Sequence, residues 1–290
     1  MTVDHAADSL QEGTVAIIGV GLIGGSIAAA LRKRGFTGQI IGVGRSAKRL
    51  DDVRDAGLID FGTTDSAAAA AQADLMIFCT PVDRIAGGIT SAAPHCRPDT
   101  LITDTGSVKG HICRELSQPF PDGATFIGSH PLAGSEKNGF DHADADLFVG
   151  RVCVVTPNET TPHDSLQRLT AFWHSLGLRV LEMTPTDHDH ALAETSHLPH
   201  VVATALAAAL SDTNRQLTST GFADSTRIAV GDPDLWAAIL LANADALVQS
   251  IDAYIQGLGE FRAAIANHDV EVLKNLLEVA KRNRDTLEFE

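Results

Sequence analysis

The stretch Thr14-Val15-Ala16-Ile17-Ile18-Gly19-Val20-Gly21-Leu22-Ile23-Gly24 decides how the first half of the chain is read. A short apolar run leads into glycines spaced Gly-x-Gly-x-x-Gly, and residues 26–34 follow with helical character. In that pattern Gly19 permits a tight turn, Gly21 lets the backbone approach a pyrophosphate, and Gly24 allows close packing of helix on strand. The start of the helix then offers unpaired N–H groups and the positive end of its dipole to phosphate. A lone motif of this kind is weak evidence. Its setting between a strand and a helix makes Gly19, Gly21, Leu22, Ile23 and Gly24 the phosphate loop of a dinucleotide site.

Working outward, apolar runs recur at 39–43, 75–80, 101–103 and 125–127, separated mostly by alanine-rich or mixed helical stretches. Strand and helix alternate, which predicts a parallel sheet wound on both faces. Residues 151–155, 164–175 and 179–183 read as one more strand-helix-strand unit attached to that sheet, which extends it to about Thr184. Beyond Pro185 the apolar positions fall at helical spacing over 191–210, 236–258 and 270–284, with no strand-like runs between. The expected fold is α/β over residues 1–184, a Rossmann-type doubly wound sheet, followed by an all-α domain over 185–290. No internal repeat or low-complexity linker interrupts it.

Which dinucleotide binds depends on the end of the second strand, where an acidic residue would take the ribose 2′-hydroxyl. The sequence there is Gly42-Val43-Gly44-Arg45-Ser46, with no carboxylate. Arg45 and Ser46 suit a 2′-phosphate, so NADP is expected in preference to NAD, although Arg45 also reads as a plain solvated charge. Thr80 and Pro81, at the end of the third apolar run, are counted with the cofactor contacts.

Composition sets the outer bounds. With 290 residues, 44% of them apolar and 20% charged, the chain has the balance of a soluble two-domain protein. Its formal net charge of −15 disfavours nucleic acid and anionic membrane surfaces as partners, and an anionic substrate would need a local basic pocket. The first twelve residues are polar and acidic, unlike a secretory signal, and the most apolar helical candidate, 201–210, is far short of the roughly 20 residues of a membrane span. Cys79, Cys96, Cys113 and Cys153 lie far apart, with no Cys-x-x-Cys pair. They read as reduced thiols of a cytoplasmic protein.

Two further segments follow strand ends, where open sheets of this kind bind ligands. They are Asp104-Thr105-Gly106-Ser107-Val108-Lys109 and Gly128-Ser129-His130-Pro131-Leu132-Ala133-Gly134-Ser135-Glu136-Lys137. The helical half adds His197-Leu198-Pro199-His200, Thr226-Arg227-Ile228-Ala229 and Asp232-Pro233-Asp234-Leu235-Trp236. An imidazole titrates near working pH, which fits His130 to take a proton, and a guanidinium at Arg227 can clamp a carboxylate in a bidentate pair.

Together these spaced motifs resemble the prephenate and arogenate dehydrogenase family of tyrosine biosynthesis, over nearly the whole chain. The resemblance implies oxidative decarboxylation: hydride passes from the ring carbinol carbon to a nicotinamide, carbon dioxide leaves, and the ring becomes aromatic. It implies that His130 accepts the hydroxyl proton and that Ser107 hydrogen-bonds the same hydroxyl or the imidazole, the plainer reading of Ser107 being a cap on the following helix. Arg227 and His200 are implied as substrate-binding residues, with His197 and Glu136 supporting them. Trp236 is implied as an aromatic brought to a neighbouring site across a dimer, or else as simple core. The resemblance further implies a homodimer through the helical domain, with prephenate or arogenate bound between the domains. It is to the minimal form of the family, without an ACT domain or a fused chorismate mutase.

Three other readings fare worse. Twelve histidines invite a metal, but Pro199 interrupts His197-x-x-His200 at a helix start, so no metal is expected. A Ser-His-Asp hydrolase is disfavoured because no serine stands in a Gly-x-Ser-x-Gly elbow. The β-hydroxyacid dehydrogenases share the two-domain plan but place a catalytic lysine near the start of the helical domain, and residues 184–209 contain none. A nucleotide sensor without turnover is disfavoured by the presence of both His130 and Arg227.

Overall fold

A computed structural model of the chain describes residues 12–120, 123–134 and 137–287. Strand and helix alternate as β1 (Thr14–Ile18), α1 (Leu22–Lys33), β2 (Gln39–Val43), α2 (Ala47–Asp55), β3 (Phe61–Thr63), α3 (Ser66–Ala70), β4 (Leu75–Phe78), α4 (Val82–Ala92), β5 (Leu101–Asp104) and α5 (Gly110–Glu115). A short β6 (Thr125–Phe126) completes a six-stranded sheet of order β3-β2-β1-β4-β5-β6, parallel throughout. The central strands β1, β2, β4 and β5 are buried on both faces. Val15 and Ile17 enter one apolar cluster with Ile27, Leu75 and Ile77, while Ala16 and Ile18 enter a second with Met76, Phe78, Ile85 and Ile89. That period of two, apolar on both sides, is why these runs read as continuous rather than alternating.

The later strands correct one expectation. β7 (Gly128–Pro131), β8 (Val152–Thr156), α6 (His163–Ser175) and β9 (Arg179–Glu182) do not extend the parallel sheet by hydrogen bonding. They form a separate three-stranded sheet of order β7-β8-β9, antiparallel between β7 and β8 and parallel between β8 and β9. The reason lies at the edge of β5. After Ile127 donates to Ile102, the side chains of Thr103 and Asp104 take over: Thr103 Oγ1 donates to the Ile127 carbonyl, and Asp104 Oδ1 accepts from Ser129 N. The chain is thereby peeled from β5 and freed to pair with β8. Apolar residues of the new unit, Cys153, Val155, Leu169, Phe172 and Trp173, still join the first cluster.

The helices that follow are α7 (Pro185–Leu192), α8 (Leu198–Ala208), α9 (Thr220–Thr226), α10 (Pro233–Ala242), α11 (Ala244–Ala266) and α12 (Val270–Asp285). Thr184 caps α7 ahead of Pro185, Asp232 caps α10 ahead of Pro233, and Asp269 caps α12. Instead of one helix over 191–210, α7 passes through a π turn, Ala193–His197, into α8. Pro199, without an N–H, cannot sustain the regular ladder there. The chain divides into two compact units, Met1–Asn243 and Ala244–Glu290. Thr184 thus marks the change from alternating strands to helices, whereas the first unit continues through α10, because side chains of α7 and Asn243 are bonded into it as described next.

Candidate active site

The glycine loop behaves as its spacing requires. Gly19 has a φ of +97°, and a Cβ there would lie 2.8 Å from the Cys79 carbonyl oxygen. A Cβ on Gly24 would drive into the Gly19 carbonyl and the Ile17 side chain, whereas a Cβ on Gly21 would meet nothing within 4 Å. The first and third glycines therefore serve the fold, and the second faces open space of the kind a pyrophosphate needs. Leu22 and Ile23 open α1, whose N-terminus has no capping side chain and no acidic residue in its first turn. Thr80 Oγ1, at the mouth of β4 beside this loop, is buried without a hydrogen-bond partner, and Pro81 precedes α4. These residues fit a dinucleotide.

At the end of β2, Arg45 is exposed and Ser46 caps α2, accepting from Arg49 N at 3.4 Å. Lys48 and Arg49 stand beside them, also exposed. Among the described residues none of these three cations forms an ion pair, in contrast to Arg32, which holds Asp60 at 2.6 Å nearby.

His130 projects from β7, and the loop after it reaches the phosphate loop, since a Cβ on Gly134 would lie 4.0 Å from Ile23 Cδ1. Beneath the strand, Lys109 is completely buried. Its Nζ is ion-paired to the equally buried Asp104 and donates to the Ser129 carbonyl at 2.8 Å. Asp104 also accepts from Gly106 N at 2.9 Å. Ser129 Oγ bonds Thr103 Oγ1 at 2.7 Å and accepts from Trp173 Nε1 at 3.0 Å. The backbone entering His130 is thus held by charge and hydrogen bonds rather than by packing alone.

The His130 ring is bonded in turn. Its Nδ1 lies 2.9 Å from Nε2 of His188, a fully buried residue of α7, and His188 Nδ1 lies 2.8 Å from Asp189 Oδ1. Asp189 accepts from Lys109 N and Gly110 N, each at 2.7 Å, and so caps α5 across a separation of some 80 residues. Burial, and secondarily the neighbouring His188, Lys109 and His197, hold the His130 imidazole well below its usual 6.5. It is therefore an unprotonated base at neutral pH.

His197 ends the π turn and is buried. Asn243 Nδ2 donates to the Asp189 carbonyl at 2.7 Å and lies 3.0 Å from His197 Nδ1. Because Asn243 offers its amide hydrogens there, His197 Nδ1 accepts, and the ring proton sits on Nε2, which is buried without a partner. Burial pushes this imidazole down to about 4, so it stays neutral. His200, on α8, stacks on Trp236 with ring centroids 3.5 Å apart and 10° between planes, and its Nδ1 is likewise buried and unpartnered. Trp236 covers His200 of its own chain and also packs against the second apolar cluster.

Ser107 is half-buried in the turn between β5 and α5. It is not a helix cap, since α5 begins at Gly110 and Asp189 takes its first N–H groups. Arg227 is exposed and opens a short turn, Arg227–Val230, packed on α8, the helix carrying His200. Glu136 lies outside the described residues. His188, Asp189, Lys109 and Asn243 were not legible as site residues, because no motif spacing links them to His130 or His197. The sole local hint was the unusual Asp187-His188-Asp189-His190 run. Among the described residues no three His, Cys, Asp or Glu side chains are grouped to hold a metal ion.

A doubly wound sheet with a phosphate loop, and an unprotonated half-buried imidazole on β7, whose following loop reaches that phosphate loop, define a nicotinamide-dependent oxidoreductase. Family models sharpen the class: the prephenate dehydrogenase nucleotide-binding domain matches residues 27–182, and the prephenate dehydrogenase dimerization domain matches 184–279. The chain belongs to the prephenate/arogenate dehydrogenase family of tyrosine biosynthesis. It is 36% identical to the cyclohexadienyl dehydrogenase of Zymomonas mobilis, over 89% of this chain and 90% of that protein. Among solved structures it resembles Aquifex aeolicus prephenate dehydrogenase in complex with hydroxyphenyl propionate and NAD+, with a TM-score of 0.89, 31% identity, and coverage of 97% and 100% of the two chains. Arogenate dehydrogenase from Synechocystis follows at a TM-score of 0.82 and 34% identity, covering 94% and 99%.

Proposed function

We propose that this chain oxidatively decarboxylates prephenate or arogenate with NADP as the hydride acceptor, working as a cytoplasmic homodimer. The observation that carries the reading is the His130 imidazole, unprotonated, tied through Nδ1 and so left with Nε2 for a substrate hydroxyl. A bound nicotinamide supplies the acceptor for the hydride leaving the ring carbinol carbon. His130 takes the hydroxyl proton as that happens, carbon dioxide leaves with its bonding electrons passing into the ring, and the ring becomes aromatic. Ser107 sits on the strand-end turn from which it holds the same hydroxyl. Arg227 binds a substrate carboxylate, His200 and the Nε2–H of His197 complete the polar contacts, and Trp236 supports His200 by stacking. Glu136, in the loop after His130, is assigned to the substrate side by its motif alone.

The preference for NADP over NAD rests on the end of β2. Three cations with no ion pair among the described residues, Arg45, Lys48 and Arg49, gather there with the Ser46 hydroxyl in a protein of net charge −15, and the position expected to carry a ribose-binding carboxylate is Gly44. A 2′-phosphate satisfies them; a bare ribose leaves them without partners. The helical part, from 185 onward, is read as the dimerising and substrate-binding half. A spectrophotometric assay crossing prephenate and arogenate with NADP+ and NAD+ tests the reaction, the substrate and the cofactor. Reduction of NADP+ at a higher kcat/KM than NAD+ is expected, and no reduction in any of the four mixtures would overturn the proposal.

A further inference from the structure

We propose that His188 and Asp189 are positioning residues that set the tautomer of His130, holding its proton on Nδ1 and its lone pair on Nε2. The inference deepens the reading of His130 as the base and rests on it. The order of donors follows from the fixed end of the chain. Asp189 is anchored by two backbone N–H groups, from Lys109 and Gly110, and its Oδ1 faces His188 Nδ1 at 2.8 Å. A carboxylate oxygen only accepts, so His188 Nδ1 carries a proton. A neutral His188 then has an acceptor at Nε2, and the 2.9 Å contact makes His130 Nδ1 the donor. The remaining nitrogen of His130, Nε2, is the basic one.

The arrangement also answers an electrostatic problem at this site. Lys109, beneath β7, opposes a positive charge on His130, and the thiol of Cys153 across on β8, pushed up by burial, contributes no charge to offset it. Asp104 is consumed by Lys109. Among the described residues the carboxylate linked to the imidazole is therefore Asp189, reached through His188. When His130 takes a proton, Asp189 stabilises the resulting imidazolium through the His188 ring. The relay also joins β7 to α7, so the base is fully oriented only when α7 is docked with its Asp189 on the start of α5.

The test is His188→Asn, assayed as pH profiles of kcat and kcat/KM with prephenate and NADP+. Second-layer partners of this kind cost roughly 10- to 100-fold in activity when removed. The expected result is a fall of that size in kcat, a change of less than about threefold in substrate KM, and an acid limb of kcat/KM displaced to lower pH. The sign follows from the base: activity needs unprotonated His130, and loss of Asp189 support lowers its affinity for a proton. A kcat within about twofold of the parent with an unmoved acid limb would overturn the relay. His130→Asn, expected to lose about 10²- to 10⁴-fold in turnover, separates the two layers of the argument. If it retains activity, the base assignment fails; if it is inactive while His188→Asn matches the parent, only the relay fails. Should His188→Asn not fold, ¹⁵N imidazole spectra of the unmodified enzyme decide, with His130 identified by the spectrum of His130→Asn. An Nδ1-protonated His130 supports the relay and an Nε2-protonated ring overturns it.

Discussion

At the scale of single residues, the site is built from groups whose protonation is dictated by what they touch. His197 is donor at Nε2 because Asn243 occupies Nδ1, and His200 is pinned against Trp236. Arg227 differs from these: it is exposed and meets no anion among the described residues, which is how a side chain awaiting a carboxylate stands. Replacing Arg227 with alanine removes binding present before and during the reaction, so KM for the substrate is expected to rise roughly 10- to 100-fold, the worth of a charged hydrogen-bonded contact, with kcat changed much less. Steady-state kinetics check this, and an unchanged KM would assign Arg227 to the surface.

At the scale of elements, the strand-loop-helix unit at the N-terminus separates folding from binding in three glycines. Gly24→Ala puts a methyl group into the Gly19 carbonyl and Ile17, and overpacking of that kind costs on the order of 1–3 kcal/mol. Gly21→Ala adds its methyl to open space and costs the fold little by comparison, but it occupies the approach to the pyrophosphate. The expected outcome is a lowered melting temperature for Gly24→Ala, and a near-parental one for Gly21→Ala with cofactor Kd raised about tenfold or more, near 1.4 kcal/mol. Calorimetric titration with NADP+ beside thermal denaturation would distinguish them, and equal melting temperatures would contradict the division of roles. Elements of this kind were legible because their signals are local. β3 was not anticipated, being three residues long and mostly exposed, and neither was β7, whose Gly-Ser-His-Pro sequence carries no apolar pattern.

At the scale of the whole molecule, two properties follow from charge and surface. His130, His197 and His200 are all pushed below their usual range, chiefly by burial. The unfolded chain binds these protons at the ordinary 6.5, so below that pH unfolding gains protons that the folded state refuses until, for His197, about 4. The stability they contribute is complete above about 6.5 and is lost as pH falls toward 4. Denaturation midpoints at pH 7 and pH 5 should differ accordingly, and His197→Gln should reduce the difference; equal midpoints would show the imidazoles to be solvated. In the unit Ala244–Glu290, Val248, Ile255, Leu258 and Ile265 are each at least half exposed and recur at intervals of seven, three and seven along α11. That spacing makes one apolar stripe, of the kind that seeks a partner helix. Sedimentation should give a dimer, and the double variant Ile255→Glu, Leu258→Glu a monomer; a dimer surviving both charges would place the interface elsewhere.

By itself the sequence determined the parallel sheet, the phosphate loop, the change to helices near Thr184 and the identity of His130, His200 and Arg227 as candidates. Each of these is carried by neighbours in the chain, through periodicity, glycine spacing or a motif of a few residues. Only the tertiary structure decided that β7, β8 and β9 leave the parallel sheet, that Lys109 is a buried cation, and that His130 is held by His188 and Asp189. His130 and His188 are 58 residues apart, and Asn243 lies 46 beyond His197. A hydrogen bond between such residues depends on how two chain segments pack, and no local pattern encodes that meeting.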